Sequence, residues 1–328
     1  MIMKEYIARR IIYALGVLFI VATLNFIIFQ VIPPYDPVDM LVDPRFSPEA
    51  KAQLRKEWGL DQPLSTRYVK YITNLFVLNL GRSFMTNEPV TYEISRRLPS
   101  TVLLLGISFV FTVLVGIPLG ILAASKRGGK VDVLTIGVGL FTFAAPSFFI
   151  QLIFLLVFSN WLGWFPWGQM YQVTMNPSED YLKFILSVLH HLVLPVTSLV
   201  VASFGSWALY SRNMLIEALT QDFILTARAK GVKKRVILFG HAFKAILPPI
   251  ATMLTMSIPG IFTGAVITEF VFTWPGIGRW FLDSMVSRDY PAVQGMLFIY
   301  AIMITIANFV ADLIYGFLDP RIRVGQKR

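Results

Sequence analysis

No cysteine occurs in the 328 residues, so disulfides, thiolate metal ligation and a cysteine nucleophile are excluded together. Histidine is almost as scarce, with His190, His191 and His241 the whole set. Neighbours on a helix point about 100° apart, so His190 and His191 do not converge on one metal. A helix-end pair at an interface accounts for them. Charge is thin, at 15% of residues against roughly 25% in soluble domains. No G-x-x-x-x-G-K-[ST] phosphate loop is present; Gly128-Gly129-Lys130 lacks both the spacing and the hydroxyl. No serine stands in a nucleophile elbow. The expectation is a chain that does not hydrolyse ATP, has no catalytic apparatus and holds no metal or cofactor.

What is abundant is apolar: 55% of residues are hydrophobic and 14% aromatic. Six runs are apolar enough to cross a bilayer, which takes about 20 residues, near Ile11–Val31, Thr101–Ala124, Val131–Phe158, Leu189–Leu209, Ile250–Phe272 and Ala292–Phe317. They predict an all-α integral membrane protein with six transmembrane helices. The first run follows Lys4, Arg9 and Arg10 as a signal peptide would, but it is too long and meets Pro33-Pro34 without a small-residue cleavage site. It reads as a retained helix.

The net charge of +10 invites a nucleic-acid reading, which the placement of the charges opposes. With the N-terminus inside, 17 of the 29 Lys and Arg fall on the inner side. Nine of the other 12 lie in the long first outer segment, where the positive-inside rule has little force. Both termini are therefore expected in the cytoplasm, with no nucleic-acid partner. The implied division is 1–31 for the N-terminal tail and first helix, 32–100 for an extracytoplasmic cap, 101–317 for a five-helix core and 318–328 for a cytoplasmic tail.

In the cap, Ser47-Pro48-Glu49 has the form of an N-cap with proline in the first helical turn, predicting a helix through Leu54 to Trp58 that stops at Gly59. A second periodic run, Tyr68 to Leu80, ends at Gly81. Trp161, Trp164, Trp167, Tyr171 and Tyr181 cluster in the second outer loop, as an interfacial aromatic belt or a carbohydrate-stacking platform. Pro118, Pro146 and Pro259 lie inside spans and can kink helices that line a cavity.

Charged groups within spans are costly and point to function. Asp312, one turn after Asn308 on the same helical face, and Glu269, near the outer end of the fifth span, are candidates for a polar translocation path. An interhelical hydrogen bond for Asp312 and an interfacial position for Glu269 are the structural alternatives.

The loop 213–248 carries the sharpest signal. Thr226-Ala227-Arg228-Ala229-Lys230-Gly231 places small residues on one helix face and a turn glycine at its end, with Lys233, Lys234 and Arg235 beside it. A solvated basic loop lying on anionic lipid needs neither the small-residue face nor the second amphipathic run that follows. Ala227 and Gly231 are expected to form a smooth patch on which another protein docks.

These residues resemble the coupling segment of ATP-binding-cassette importer permeases, E-A-A-x3-G-x9-I-x-L-P. Ala227 matches the second alanine, Gly231 the glycine and Leu247-Pro248 the final pair. Leu225, Thr226 and Ala245 depart from the pattern, and the interval after the glycine is four residues longer. TARAKG followed by HAFKAILP is similar to the dipeptide/oligopeptide branch, where a longer loop is usual. Supporting blocks are Trp58–Leu64, Leu80–Ser83 with Pro89-Val90, Glu269–Phe272 with Trp274–Gly278, Asp289–Pro291 and Leu318–Arg321. An N-terminal helix followed by a long outer segment looks like the first of the two permease subunits.

The resemblance implies the type I importer permease fold and a membrane-embedded subunit that pairs with a second homologous permease, two ATP-binding subunits and an extracytoplasmic solute-binding protein. ATP and Mg would be used by those partner subunits. Thr226–Gly231 would fit a cleft on the ATPase, and Trp274, Pro275 and Gly276 would meet the loaded binding protein. The cargo it implies is a peptide, an oligosaccharide or a nickel chelate. The competing class is a self-sufficient ion-coupled carrier, which needs intramembrane carboxylates placed for coupling.

Overall fold

In a bilayer every backbone N–H and C=O must be satisfied within the chain, which leaves an apolar run no choice but helix. The computed structural model describes residues 2–32, 38, 47–57, 59–175, 180–261 and 265–318; at 2–7, 54, 57 and 311–318 only the backbone is described. Trp58, the Asp312 side chain and residues 319–321 thus lie outside the described residues. Helices are α1 (Ile2–Phe26), α2 (Pro48–Glu57), α3 (Leu64–Phe76), α4 (Val90–Ser125), α5 (Lys130–Ala144) and α6 (Ser147–Phe154). They continue with α7 (Tyr181–Ala218), α8 (Asp222–Ala229), α9 (Lys234–Ile261), α10 (Val266–Val271), α11 (Ile277–Val286) and α12 (Tyr290–Leu318).

Among the described residues five helices are long and apolar enough to cross a membrane, or six if the bent pair of Lys130–Ala144 and Ser147–Trp161 is taken as one span. The predicted spans are therefore present, with two corrections. The run Val131–Phe158 is not one helix. Ala145 is extended, with φ −73° and ψ 134°, and the two halves meet at 100°. Pro146 is the cause, because its ring disfavours a helical residue before it. By contrast, α4 runs unbroken through Pro99 and Pro118.

The fifth span is also displaced. Its helix runs over Lys234–Ile261 and stops in a tight turn at Ile258–Ile261 that holds Pro259 and Gly260. Val266–Val271 is a separate short helix, so Glu269 does not belong to the span. The amphipathic run after Gly231 is the opening of that span rather than a free loop helix. Wide turns over Ile237–Ala242 precede the regular helix Phe243–Ser257, which runs through Pro248-Pro249.

The chain divides into two compact units, Met1–Leu98 with Trp280–Phe309, and Pro99–Arg279 with Val310–Arg328. In the first, Ala50 N–H donates to the Ser47 hydroxyl at 3.2 Å to start α2, and Gly59 takes φ +67° just past its end. The helix α3 starts at Leu64, four residues earlier than its apolar period suggested, because Pro63 leads directly into it. It packs on α1 through Phe26, whose ring meets Tyr68 edge-on at 5.2 Å. Asn25 donates to the Gln294 carbonyl at 2.9 Å, tying α1 to α12. The buried carboxylate of Asp289 accepts from the Ser83 hydroxyl and from Phe84 N–H.

In the second unit α7 is the central post. Gly139 of α5 and Gly205 of α7 touch backbone to backbone; a Cβ built on Gly205 would lie 2.4 Å from the Gly139 carbonyl oxygen. Gly116 and Gly120 of α4 fit against Trp207, Ala208 and Ser211 of α7 in the same way. Small residues of this kind let membrane helices approach closely enough for dispersion to hold them. Large apolar side chains such as Leu134, Phe141 and Phe143 remain more than 60% exposed, which suits a lipid-facing surface and not an aqueous one.

Candidate coupling site

The end of α7, the helix α8 and the opening of α9 form one small core. Leu215, Ala218, Ile224, Ala227, Ile237, Ala242, Ile246 and Ile250 are buried together with Ala124. The eight residues of α8 are placed by both of their ends. Asp222 stands in the first turn and Arg228 in the last, each favourable to the helix dipole. At the far end Gly231 takes φ +75°, Gly231 N–H donates to the Arg228 carbonyl at 2.9 Å, and Val232 N–H reaches Ala227 at 3.2 Å. That pair of bonds is a Schellman closure, and Val232 packs on the core below it. The glycine is required because a left-handed residue with a Cβ is strained.

The outward face is not the one the sequence suggested. Ala227 is 8% exposed and Ile224 is fully buried, so the small-residue side of α8 fits against its own chain. The expected smooth outer patch at Ala227 is therefore corrected. Thr226, Arg228, Ala229, Lys230 and Gly231 are exposed, and the apolar contacts offered outward are Phe223 and Leu225. The bases Lys233, Lys234 and Arg235 stay exposed beside them. Helical periodicity gives the spacing of this face but not which way it turns; the buried partner at Ile224 decides that.

Between α5 and α7 lies an ion pair that sequence reasoning missed. Arg212 donates through Nε to Asp132 Oδ1 at 2.5 Å and through Nη2 to Oδ2 at 2.9 Å, while Gly128 N–H donates to Oδ2 at 2.8 Å. The two side chains are 15% and 4% exposed. An acid in the first turn of α5 and an arginine near the end of the fourth apolar run were the available signals.

Glu269, Trp274 and Gly276 come together in a second cluster. Ile277 N–H donates to Thr101 Oγ1 at 2.9 Å, and the Thr101 hydroxyl donates to Glu269 Oε1 at 2.7 Å. Arg279 N–H donates to Oε2 at 3.0 Å. Trp274 is buried and its indole donates to the Ser100 carbonyl at 2.8 Å. A Cβ on Gly276 would fall 2.3 Å from the Glu269 carboxyl. Of the three residues assigned to the binding protein only Pro275 is exposed; Trp274 and Gly276 hold the Glu269 turn together. Gln151 donates to Thr268 at 2.8 Å beside it, another buried polar contact not foreseen. Asn308 is exposed on α12.

Residues 116–324 match the family of binding-protein-dependent transport system inner membrane components, and residues 3–105 match the N-terminal region of such membrane components. The chain belongs to this family. It is a multi-pass inner-membrane protein and a permease component, and the resemblance read from the coupling segment is borne out. The oligopeptide transport system permease protein AppB of Bacillus subtilis is 35% identical over 321 residues, covering 98% of this chain and 99% of that protein. The di/tripeptide permease DppB of Pseudomonas aeruginosa is 34% identical, and the dipeptide permease DppB of Escherichia coli 32%, each with the same coverage. A chain of the inward-facing MetNI methionine ABC transporter superposes with a TM-score of 0.54 at 17% identity, over 71% of this chain and 99% of that one. That likeness bears out the importer permease fold expected from the sequence.

Proposed function

We propose that this permease component carries peptides inward as the first of two membrane subunits in an ATP-driven, binding-protein-dependent importer. The observation that carries the reading is full-length similarity at 32–35% identity to permeases named for oligopeptides and dipeptides. Those names favour peptides over an oligosaccharide or a nickel chelate. The partners are a second homologous permease, two ATP-binding subunits that use ATP and Mg, and an extracytoplasmic solute-binding protein. The chain contributes no catalysis and binds no cofactor itself. Both termini lie in the cytoplasm, consistent with the distribution of Lys and Arg.

The geometry of α8 supports the division of labour. A short helix fixed at its capped end and seated on a core through Ile224 and Ala227 moves as a unit with α7 and α9. Docked on an ATPase through Phe223, Leu225, Thr226 and the bases Arg228 and Lys230, it transmits displacement that a loose loop would absorb. The cap 32–100 and the exposed Pro275 turn supply the surface for the binding protein, while Glu269, Asn308 and Asp312 remain the polar groups to test along the path.

Purification from the native membrane through a C-terminal tag tests the assembly. Recovery of a second permease and ATP-binding subunits supports it. Recovery of this chain alone in mild detergent moves the weight to an ion-coupled carrier.

A further inference from the structure

A cavity of about 580 Å³ opens in the first unit between α3, the end of α1 and the start of α12. No Asp or Glu is found among the described residues that line it, while Arg67, Lys70 and Arg82 all do. Lys70 donates to Gln62 Oε1 at 2.8 Å and Arg82 to the Asn87 carbonyl at 2.7 Å, both neutral acceptors. Two further donors are buried beneath this lining without a partner of their own. Gln294 lines the cavity at 7% exposure and its amide nitrogen has no hydrogen-bond partner among the described residues. The Tyr71 hydroxyl is likewise buried and unpartnered, and burial pushes its pKa up, so it stays a donor. Buried donors without acceptors are costly, and cations beside them make an anion the complementary ligand.

The surroundings say what kind of anion. Ile27, Ile28, Val31 and Ile32, on the wide helical turns that follow α1, are 38–65% exposed, and Val69 and Phe76 of α3 are 59% and 44% exposed. Polar donors set directly beside exposed aliphatic surface match an amphiphile, charged at one end and apolar at the other.

We propose that the cavity binds the phosphate headgroup of an anionic phospholipid, held by the exposed Lys70 and Arg82 above the buried Tyr71 hydroxyl and Gln294 amide, its acyl chains lying along the exposed Ile27, Ile28, Val31 and Ile32 that follow α1. Such a lipid neutralises the cationic wall and fastens α1, α3 and α12 to the membrane interface. The site concerns anchoring and not cargo, and its ligand is independent of what the importer carries.

The test uses the full chain with its co-purifying subunits, stripped of lipid and titrated with phosphatidylglycerol and phosphatidylcholine of matched acyl chains. Bound lipid is counted by native mass spectrometry. Phosphatidylglycerol is expected to bind in preference, with Lys70→Gln and Arg82→Gln each weakening it about fivefold and leaving phosphatidylcholine unchanged. Both side chains are exposed, so the unfolding temperature serves as the control for folding. Equal retention of the two lipids, or retention of phosphatidylglycerol unaltered in both variants, overturns the proposal. In a second arm inorganic phosphate is titrated alone; if it binds with the same sensitivity to the variants while no lipid preference exists, the ligand is free phosphate and the lipid assignment falls. Transport is not read in either arm, so failure here leaves the importer reading standing.

Discussion

Arg212 grips Asp132 with two parallel hydrogen bonds, at 2.5 and 2.9 Å, across 80 residues of sequence. The pair joins the first turn of α5 to the C-terminal part of α7, three residues before Leu215 of the core that seats α8. Its worth lies in geometry: the same carboxylate also holds Gly128 N–H, so the tight turn before α5 is fixed by the same contact.

Removing one partner leaves the other charged and largely buried, which costs about 3–5 kcal/mol where such pairs have been broken. Arg212→Ala and Asp132→Ala are expected to lower the unfolding temperature sharply in detergent. The double variant should lose clearly less than the sum of the two. Additive losses in a double-mutant cycle would show that the two side chains do not depend on each other.

Gly205→Ala places a methyl group within 2.4 Å of the Gly139 carbonyl oxygen, so α5 and α7 must separate. Overpacking of this kind costs roughly 1–3 kcal/mol. Gly137→Ala, on the same α5 with nothing within 4 Å of its added Cβ, is the matched control and should be neutral or slightly stabilising. Thermal unfolding of the two variants side by side decides the matter; equal behaviour contradicts the backbone contact.

Glu269→Ala strips the acceptor from both the Thr101 hydroxyl and Arg279 N–H, at about 1–3 kcal/mol for each group left unsatisfied. Thr101→Val removes one link of the same chain and should destabilise less. A fall in unfolding temperature in that order marks Glu269 as the tie of the Trp274–Gly278 turn. Lost transport at unchanged stability would instead place its carboxyl on the path.

Much of this was legible in advance. Apolar runs located four spans closely, with the third broken and the fifth displaced; Ser47-Pro48 located the start of α2, and Gly231 located the end of α8. Each is a local rule, carried by hydropathy, a cap or a sign of φ. The misreadings are all tertiary. Ala227 has the same neighbours on the helix whichever way α8 turns, and only Ile224 and Ile246 beneath it settle that it faces inward. Trp274 and Gly276 look like surface loop residues until Ser100 and Glu269 are seen against them. Pro146 breaks its span while Pro118 does not, a difference absent from the local sequence.

Face assignment on α8 yields a separate expectation. Leu225→Asp changes an exposed side chain and should weaken association with the ATP-binding subunits at unchanged unfolding temperature. Ile224→Ala empties a buried position and should do the reverse first, destabilising by about 2–5 kcal/mol. Co-purification yields and melting curves of the two variants check the contrast; if Ile224→Ala abolishes association without destabilisation, the inward face has been misassigned.

The most direct test of the importer reading is uptake of a labelled dipeptide into proteoliposomes containing this chain, its second permease and its ATP-binding subunits, with the binding protein outside and ATP inside. Uptake is predicted to require ATP and every partner, and to fall in Leu225→Asp as coupling fails. Uptake by this chain alone, driven by an ion gradient and indifferent to ATP, would contradict it.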